Sequence, residues 1–162
     1  MAFDVAAVRL RNQHLVGAPL ERPEDVVRRL GAVQAQDYAG AKWALAQRVR
    51  TRTDVSIEEA FASGRIVRTH VMRPTWHFVL PADVRWMQRL TAPRVRAAMA
   101  YYDRKLDLDA RTLRRSNDVL ARALEGGKHR TREELARALV PRHRGSDWFQ
   151  AATAGALEEY PG

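Results

Sequence analysis

The stretch at residues 66–80, IVRTHVMRPTWHFVL, is where the hydrophobic period of the sequence changes. Residues 66–72 alternate and are rich in β-branched side chains, whereas residues 76–80 are aromatic and aliphatic. Arg73-Pro74-Thr75 between them has the composition of a turn. Two strand-like runs joined by a short turn predict a β-hairpin.

The residues that precede the hairpin have a helical period. Asp4 is placed to cap a first helix, and Pro23 is placed to begin a second, because the missing N–H of proline costs nothing in the first turn. We expect helices over residues 5–15, 23–34 and 42–49, and a fourth that begins at the capping box of Ser56 and Glu59 and stops at Gly64. Helices followed by a hairpin predict a winged helix-turn-helix.

After the hairpin the period is helical again. The patterns predict helices over residues 81–90, 93–106 and 109–124, and Thr131 with Glu134 forms a capping box before one more. The expected fold is therefore mainly α with a small β-hairpin. We divide it into a first winged-helix module (1–80), a helical connector (81–125) and an incomplete second winged-helix module, or a truncated or frameshifted tail (126–162).

The composition favours a polyanionic partner. With 28 Lys and Arg against 19 Asp and Glu, the net charge is +9, and nearly all of the cations are arginine. Such a balance is typical of nucleic-acid binding, although a GC-rich genome also produces an Arg- and Ala-rich chain. Cysteine is absent, which excludes disulfides and thiolate chemistry. With no signal-peptide pattern and no apolar segment of membrane-spanning length, we expect a cytoplasmic protein.

Three stretches taken together carry a resemblance. They are VQAQD at 33–37, VRTHVMRPTWHF at 67–78 and DVRW at 83–86. In order and spacing they resemble the tandem winged-helix proteins that include the AlkZ-like DNA glycosylases. The likeness covers roughly residues 5–140, which is less than half of a complete member as the family's layout implies. It implies a monofunctional glycosylase that removes N7-alkylated or cross-linked purines from double-stranded DNA without a cofactor.

The resemblance also implies catalytic residues. The two glutamines of the family's Gln-x-Gln motif are here Gln34 and Gln36. An N7-alkylated guanine is already cationic and leaves readily, so two amide oxygens that hold a water suit the task. The alternative is that both glutamines close the C-terminus of the second helix. Asp37 is a competing base, or the first residue of a loop.

The wing supplies candidate DNA contacts. Arg68, His70 and Arg73 lie on or beside the hairpin, where basic side chains meet phosphates or the minor groove. Thr75, His77 and Lys42 complete the predicted DNA-binding set. The alternative is a solvated strand face. No metal site is expected, because neither histidine of the hairpin has a carboxylate or histidine at ligand spacing.

Two further interpretations of the whole chain stay open. Most winged helices bind DNA without performing chemistry, so the chain is alternatively a non-catalytic DNA-binding module. A damaged reading frame with no function is the other alternative. The truncated end favours these two, whereas the Gln-x-Gln motif beside an intact hairpin favours the enzyme.

Overall fold

The computed structural model describes residues 4–72 and 75–139. Expectations for Arg73 and for the C-terminal tail beyond residue 139 lie outside these ranges. Within them the helices are α1 (Val5–Asn12), α2 (Pro23–Leu30), α3 (Tyr38–Ala46), α4 (Asp54–Ala62), α5 (Pro81–Lys105), α6 (Ala110–Leu124) and α7 (Arg132–Leu139). The strands are β1 (Val33–Gln34), β2 (Val67–Thr69) and β3 (His77–Val79).

The first of two compact units, residues 1–97, contains the predicted hairpin. β2 and β3 pair antiparallel, with Arg68 opposite Phe78. β1 joins the other side of β3, so the sheet order is β1-β3-β2. This third strand is an addition to the expected two-stranded hairpin. The succession α2-β1-α3-α4-β2-β3 is that of a winged helix, and the predicted fold class is confirmed.

One face of the sheet closes the main core. Phe78 is fully buried and lies in a ring cluster with Tyr38 and Phe61, whose centroids are 4.7–5.8 Å apart. Around it pack fully buried side chains from the helices and from the residue before β2, namely Val26, Val27, Leu45, Ile57 and Ile66. Trp76 is half-buried against the same core and alternates with His77.

The opposite face of the sheet has a second, smaller core. Val79 and Val67 are cross-strand partners, and they pack with Met87 and Val84 of α5. The Thr91 hydroxyl of α5 donates to the carbonyl oxygen of Val71, just beyond β2. Helix α5 is thereby fixed beside the loop that follows β2.

The second helix is shorter than the sequence predicts. It ends at Leu30 because Gly31 has φ +79°, a conformation that side chains rarely adopt and that stops the helix. The chain then enters β1, so Gln34 lies on a strand. The alternative in which the two glutamines close a helix C-terminus is therefore wrong.

Other boundaries also differ from the expectations. The first helix stops at Asn12, and α3 begins four residues early, after Asp37. The α4 cap is Thr53, whose hydroxyl accepts from the Ser56 N–H at 3.2 Å, rather than Ser56. Residues 81–105 form one helix rather than two, with exposed Pro93 inside it. A proline removes one helical hydrogen bond but does not always end a helix.

Several predicted helix starts are confirmed. Asp4 accepts from the Ala7 N–H at 3.0 Å, and Pro23 is at the start of α2. In the second unit, residues 98–162, Asp109 caps α6 by accepting from the Thr112 N–H. The capping box at α7 is reciprocal, with Thr131 and Glu134 each accepting from the other's N–H at 3.3 and 2.7 Å. The three-part division of the chain stays a prediction.

Candidate functional site

Gln34 and Gln36 lie on the same side of the β1 segment. Both are exposed, whereas Ala35 between them is fully buried. The Ala35 N–H donates to the Trp76 carbonyl at 2.8 Å, which continues the β1–β3 pairing by one residue. Because alternate residues of an extended segment share a face, the two amides point away from the main core together.

The side chain of Gln36 is held by Trp76, the residue before β3. Its Oε1 accepts from the Trp76 N–H at 3.3 Å. This hydrogen bond sets the direction in which the amide group of Gln36 points.

Arg68 donates two hydrogen bonds to main-chain carbonyls of the motif. Its Nε donates to the Ala35 carbonyl at 3.0 Å, and its Nη2 donates to the Gln36 carbonyl at 3.3 Å. The guanidinium also lies 4.7 Å from the Trp76 ring centroid and 5.5 Å from that of Tyr38. A planar fork that bonds two carbonyls while it stacks on rings is particular to arginine.

Polar side chains accompany the glutamines on their face of the sheet. Gln34 is directly opposite His77 on β3, and His77 is directly opposite Thr69 on β2. His77 is 3% exposed, and its Nδ1 donates to the Thr75 carbonyl at 2.9 Å, since a carbonyl can only accept. The buried Thr75 hydroxyl has no hydrogen-bond partner among the described residues.

Lys42 forms ion pairs with two carboxylates of the chain. Its Nζ lies 2.7 Å from Asp54 and 2.6 Å from Glu58. Hydrogen bonds to these two carboxylates raise the pKa of Lys42 above its ordinary value. Burial, followed by a hydrogen bond to Glu58, raises the pKa of Tyr38.

A groove of about 480 Å³ lies between the loop after β2 and helix α5. His70 and Met72 line it on the loop side, and Gln88 and Arg96 line it on the helix side. The exposed His70 ring packs on Trp76, with centroids 4.1 Å apart. Gln88 donates to the His70 carbonyl. The groove therefore adjoins the residue that orients Gln36.

A model of the AlkZ-like DNA glycosylase family matches residues 27–159 of the chain. The chain belongs to this family. A search of curated protein sequences gave no match. The structure is similar to that of Streptomyces sahachiroi DNA glycosylase AlkZ, with a TM-score of 0.69, 24% sequence identity and coverage of 92% of this chain. At this identity the likeness shows the fold. The chain spans 41% of the length of that protein.

The residues expected to act in this AlkZ-like chain fall into three groups. Gln34, Gln36, Thr75 and His77 share one face of the sheet, and His70 borders the groove beside it. Arg68 lies on the opposite face, with its donors on the main chain of the motif. Lys42 lies with the carboxylates of α4. Their catalytic and DNA-binding roles stay predictions.

Sequence reasoning missed the contact of Arg68 with the motif. A pattern that indicates it was present, since Arg68 alternates with Val67 and Thr69 on β2 and so shares the face of Phe78. An arginine that points toward a core face needs acceptors. Asp37, the competing base, is at the N-cap position of α3.

Among the described residues no three His, Asp or Glu side chains form a group that would hold a metal ion. No helix in the same ranges is long and apolar enough to cross a membrane.

Proposed function

We propose that this chain provides the catalytic motif of a DNA glycosylase that removes N7-alkylated purines, with Gln34 and Gln36 holding the attacking water. The observation that carries the proposal is the pair of amides on one face, with the Oε1 of Gln36 oriented by the Trp76 N–H. The family supports the reaction type. The substrate class is the one that the family resemblance implies, and neutral amides suit it.

An alkyl group at N7 leaves the base positively charged. The bond from C1′ to N9 breaks with its electron pair going to N9, so the base leaves neutral and the sugar becomes an oxocarbenium ion. Water adds to C1′ and gives its proton to solvent, which leaves an abasic site. Because the leaving group needs no protonation, the protein has only to position the water and stabilise the sugar cation.

Two amide oxygens, of which that of Gln36 is held by the Trp76 N–H, meet both requirements. An amide oxygen presents the negative end of a dipole, and a fixed dipole stabilises a developing cation without reorganising during the reaction. In this proposal the water donates one hydrogen to the amide oxygen of Gln36 and the other to that of Gln34. Arg68 and Trp76 act as positioning residues, because they hold the motif without touching the substrate.

A non-catalytic DNA-binding module is the second candidate function. The exposure of both glutamines favours it, since base-flipping enzymes enclose the extruded nucleotide in a pocket. The two candidates make the same prediction for DNA affinity and opposite predictions for base release.

Release of 7-methylguanine from methylated duplex DNA separates them. The assay is run with EDTA on this chain and on a fusion with the remaining part of the matched AlkZ, and abasic sites are cleaved by alkali. Release by either protein that is lost in its Gln36→Ala variant supports the glycosylase. DNA binding without release by both proteins supports the binding module. Undiminished release by the Gln34→Ala, Gln36→Ala double variant removes both glutamines from the mechanism.

A further inference from the structure

Helix α4 is acidic, although its place in the helix-turn-helix is that of the helix that binds DNA. In helix-turn-helix proteins the second helix lies in the major groove, with its N-terminal residues at the bases. Here that helix is DVSIEEAFA, which contains no Lys or Arg and presents Asp54, Glu58 and Glu59. The nearby cation Lys42 is already paired with two of these carboxylates. Phosphates flanking a major groove would be repelled by this helix.

Helix α5, by contrast, carries exposed arginines. Arg85, Arg89 and Arg96 are all exposed. Within residues 4–72 and 75–139 none of them has a carboxylate at ion-pair distance. By contrast, the exposed Arg50 and Arg28 pair with Glu21 and Asp25. Exposed arginines without a carboxylate partner among the described residues also lie on α1, α2 and α6, but α5 is the helix that lines the groove with the loop after β2.

The spacing of the three arginines places them in a line. Steps of four and seven residues keep their side chains within about 40° of one another around a helix of 3.6 residues per turn. At a rise of about 1.5 Å per residue the line is about 16 Å long. One DNA strand rises about 3.4 Å along the duplex axis for each phosphate, so the row is long enough for its three guanidiniums to contact different phosphates. We name Arg85, Arg89 and Arg96 the α5 arginine row.

The row adjoins the motif through a series of contacts. Arg96 lines the groove that His70 and Met72 line from the other side. His70 packs on Trp76, whose N–H donates to the Gln36 side chain. A strand that follows the row therefore passes the loop beside the two glutamines.

We propose that the α5 arginine row, and not helix α4, binds the phosphate backbone of DNA in this chain. The proposal rests on DNA being the ligand, which is part of the proposed function, but not on catalysis. The row provides phosphate contacts without base contacts, so binding through it is insensitive to sequence. The occupant is duplex DNA, because its phosphates are regularly spaced and the three guanidiniums have no carboxylate partner in the part of the chain that the structure describes.

The experiment is a salt series of fluorescence anisotropy with a short, undamaged, labelled duplex. Each phosphate contact contributes about 0.9 to the slope of log K against log salt. Arg89→Ala is expected to lower the slope by about 1, and the triple alanine variant of the row by about 2 to 3. Arg94→Ala is the matched control, because it removes the same charge from the same helix about 140° away from Arg89. Its slope is expected to be unchanged.

A second variant tests α4 directly. Glu59→Arg adds charge to the exposed side of α4, and it is expected to leave the slope unchanged. An increase of about 1 would place α4 on the DNA and overturn the proposal. An Arg89→Ala slope equal to that of Arg94→Ala, with circular dichroism showing both variants folded, would overturn it too. Absence of base release by both the chain and its fusion, with the expected effect of the row on the salt slope, would refute only the catalytic proposal. Absence of DNA binding by the unmodified chain would refute the proposal for the row.

Discussion

Arg68→Ala tests whether Arg68 holds the motif or contacts phosphates. The guanidinium donates to the carbonyls of Ala35 and Gln36 and stacks on Trp76. Removing it leaves the carbonyl of fully buried Ala35 without this donor. The segment that carries both glutamines then loses its attachment to β2.

The magnitude follows from these contacts. A hydrogen bond to a charged group contributes about 1.5–3 kcal/mol. The longer bond to Gln36 is in a more exposed place, so we assign it the lower end of that range, and we count the cation–π contact at about 0.5–1 kcal/mol. Water replaces part of the loss, and we expect the free energy of unfolding to fall by about 3 kcal/mol. With a slope of about 2 kcal/mol/M, the urea midpoint falls by about 1.5 M.

Urea unfolding followed by circular dichroism measures the change. Arg50→Ala is the control, because Arg50 pairs with Glu21 at the surface and its loss leaves the midpoint nearly unchanged. Arg68→Lys restores the charge but cannot bridge two carbonyls, so it recovers less than half of the midpoint shift. Equal midpoints for Arg68→Ala and Arg50→Ala would refute the reasoning. A salt slope of DNA binding reduced by about 1 in Arg68→Ala would instead assign Arg68 to a phosphate.

Three further predictions concern the scaffold. Leu45→Ala removes a fully buried side chain and is expected to cost about 3 kcal/mol in denaturant unfolding, whereas exposed Leu90→Ala changes stability by less than about 0.5 kcal/mol. Gly31→Ala meets no neighbouring atom but must adopt φ +79°, so melting is expected to fall by about 5 °C for a cost of about 1 kcal/mol. The backbone hydrogen bond from Thr112 lowers the pKa of Asp109 below its ordinary 3.8. The ionised Asp109 carboxylate therefore stabilises the folded state fully above pH 3.8, and this stabilisation is lost as the pH falls through the lowered pKa. Melting curves in acid are expected to show this loss in the parent chain and not in Asp109→Asn, which keeps a capping oxygen.

Local chemistry made much of the fold predictable. The starts of α1, α2, α6 and α7 each depend on a cap or a proline within one turn, and the sequence displays those residues. The hairpin was predictable because β2 and β3 are close in the chain. Gly31 shows the limit of this approach, since a glycine within a periodic pattern is compatible with either a helix or its end.

The site was only partly predictable. Gln34 and Gln36 were identified by resemblance, but their place on a strand was not. β1 has two residues and pairs with β3 more than forty residues later, and such a short strand has no period of its own. The contact between Arg68 and the motif is equally non-local. Tertiary pairing, rather than propensity, decided both.

Single-turnover release of 7-methylguanine by the Gln36→Ala variant tests the central claim most directly. The parent, Gln36→Ala and the control Asn117→Ala, whose amide side chain is exposed on α6, are compared on the same methylated duplex with EDTA, in whichever of the chain or its AlkZ fusion releases base. We predict that Gln36→Ala slows release by about 100-fold or more while DNA affinity stays within about 2-fold, because only water positioning is lost. Release by Gln36→Ala at the rate of Asn117→Ala would contradict the account.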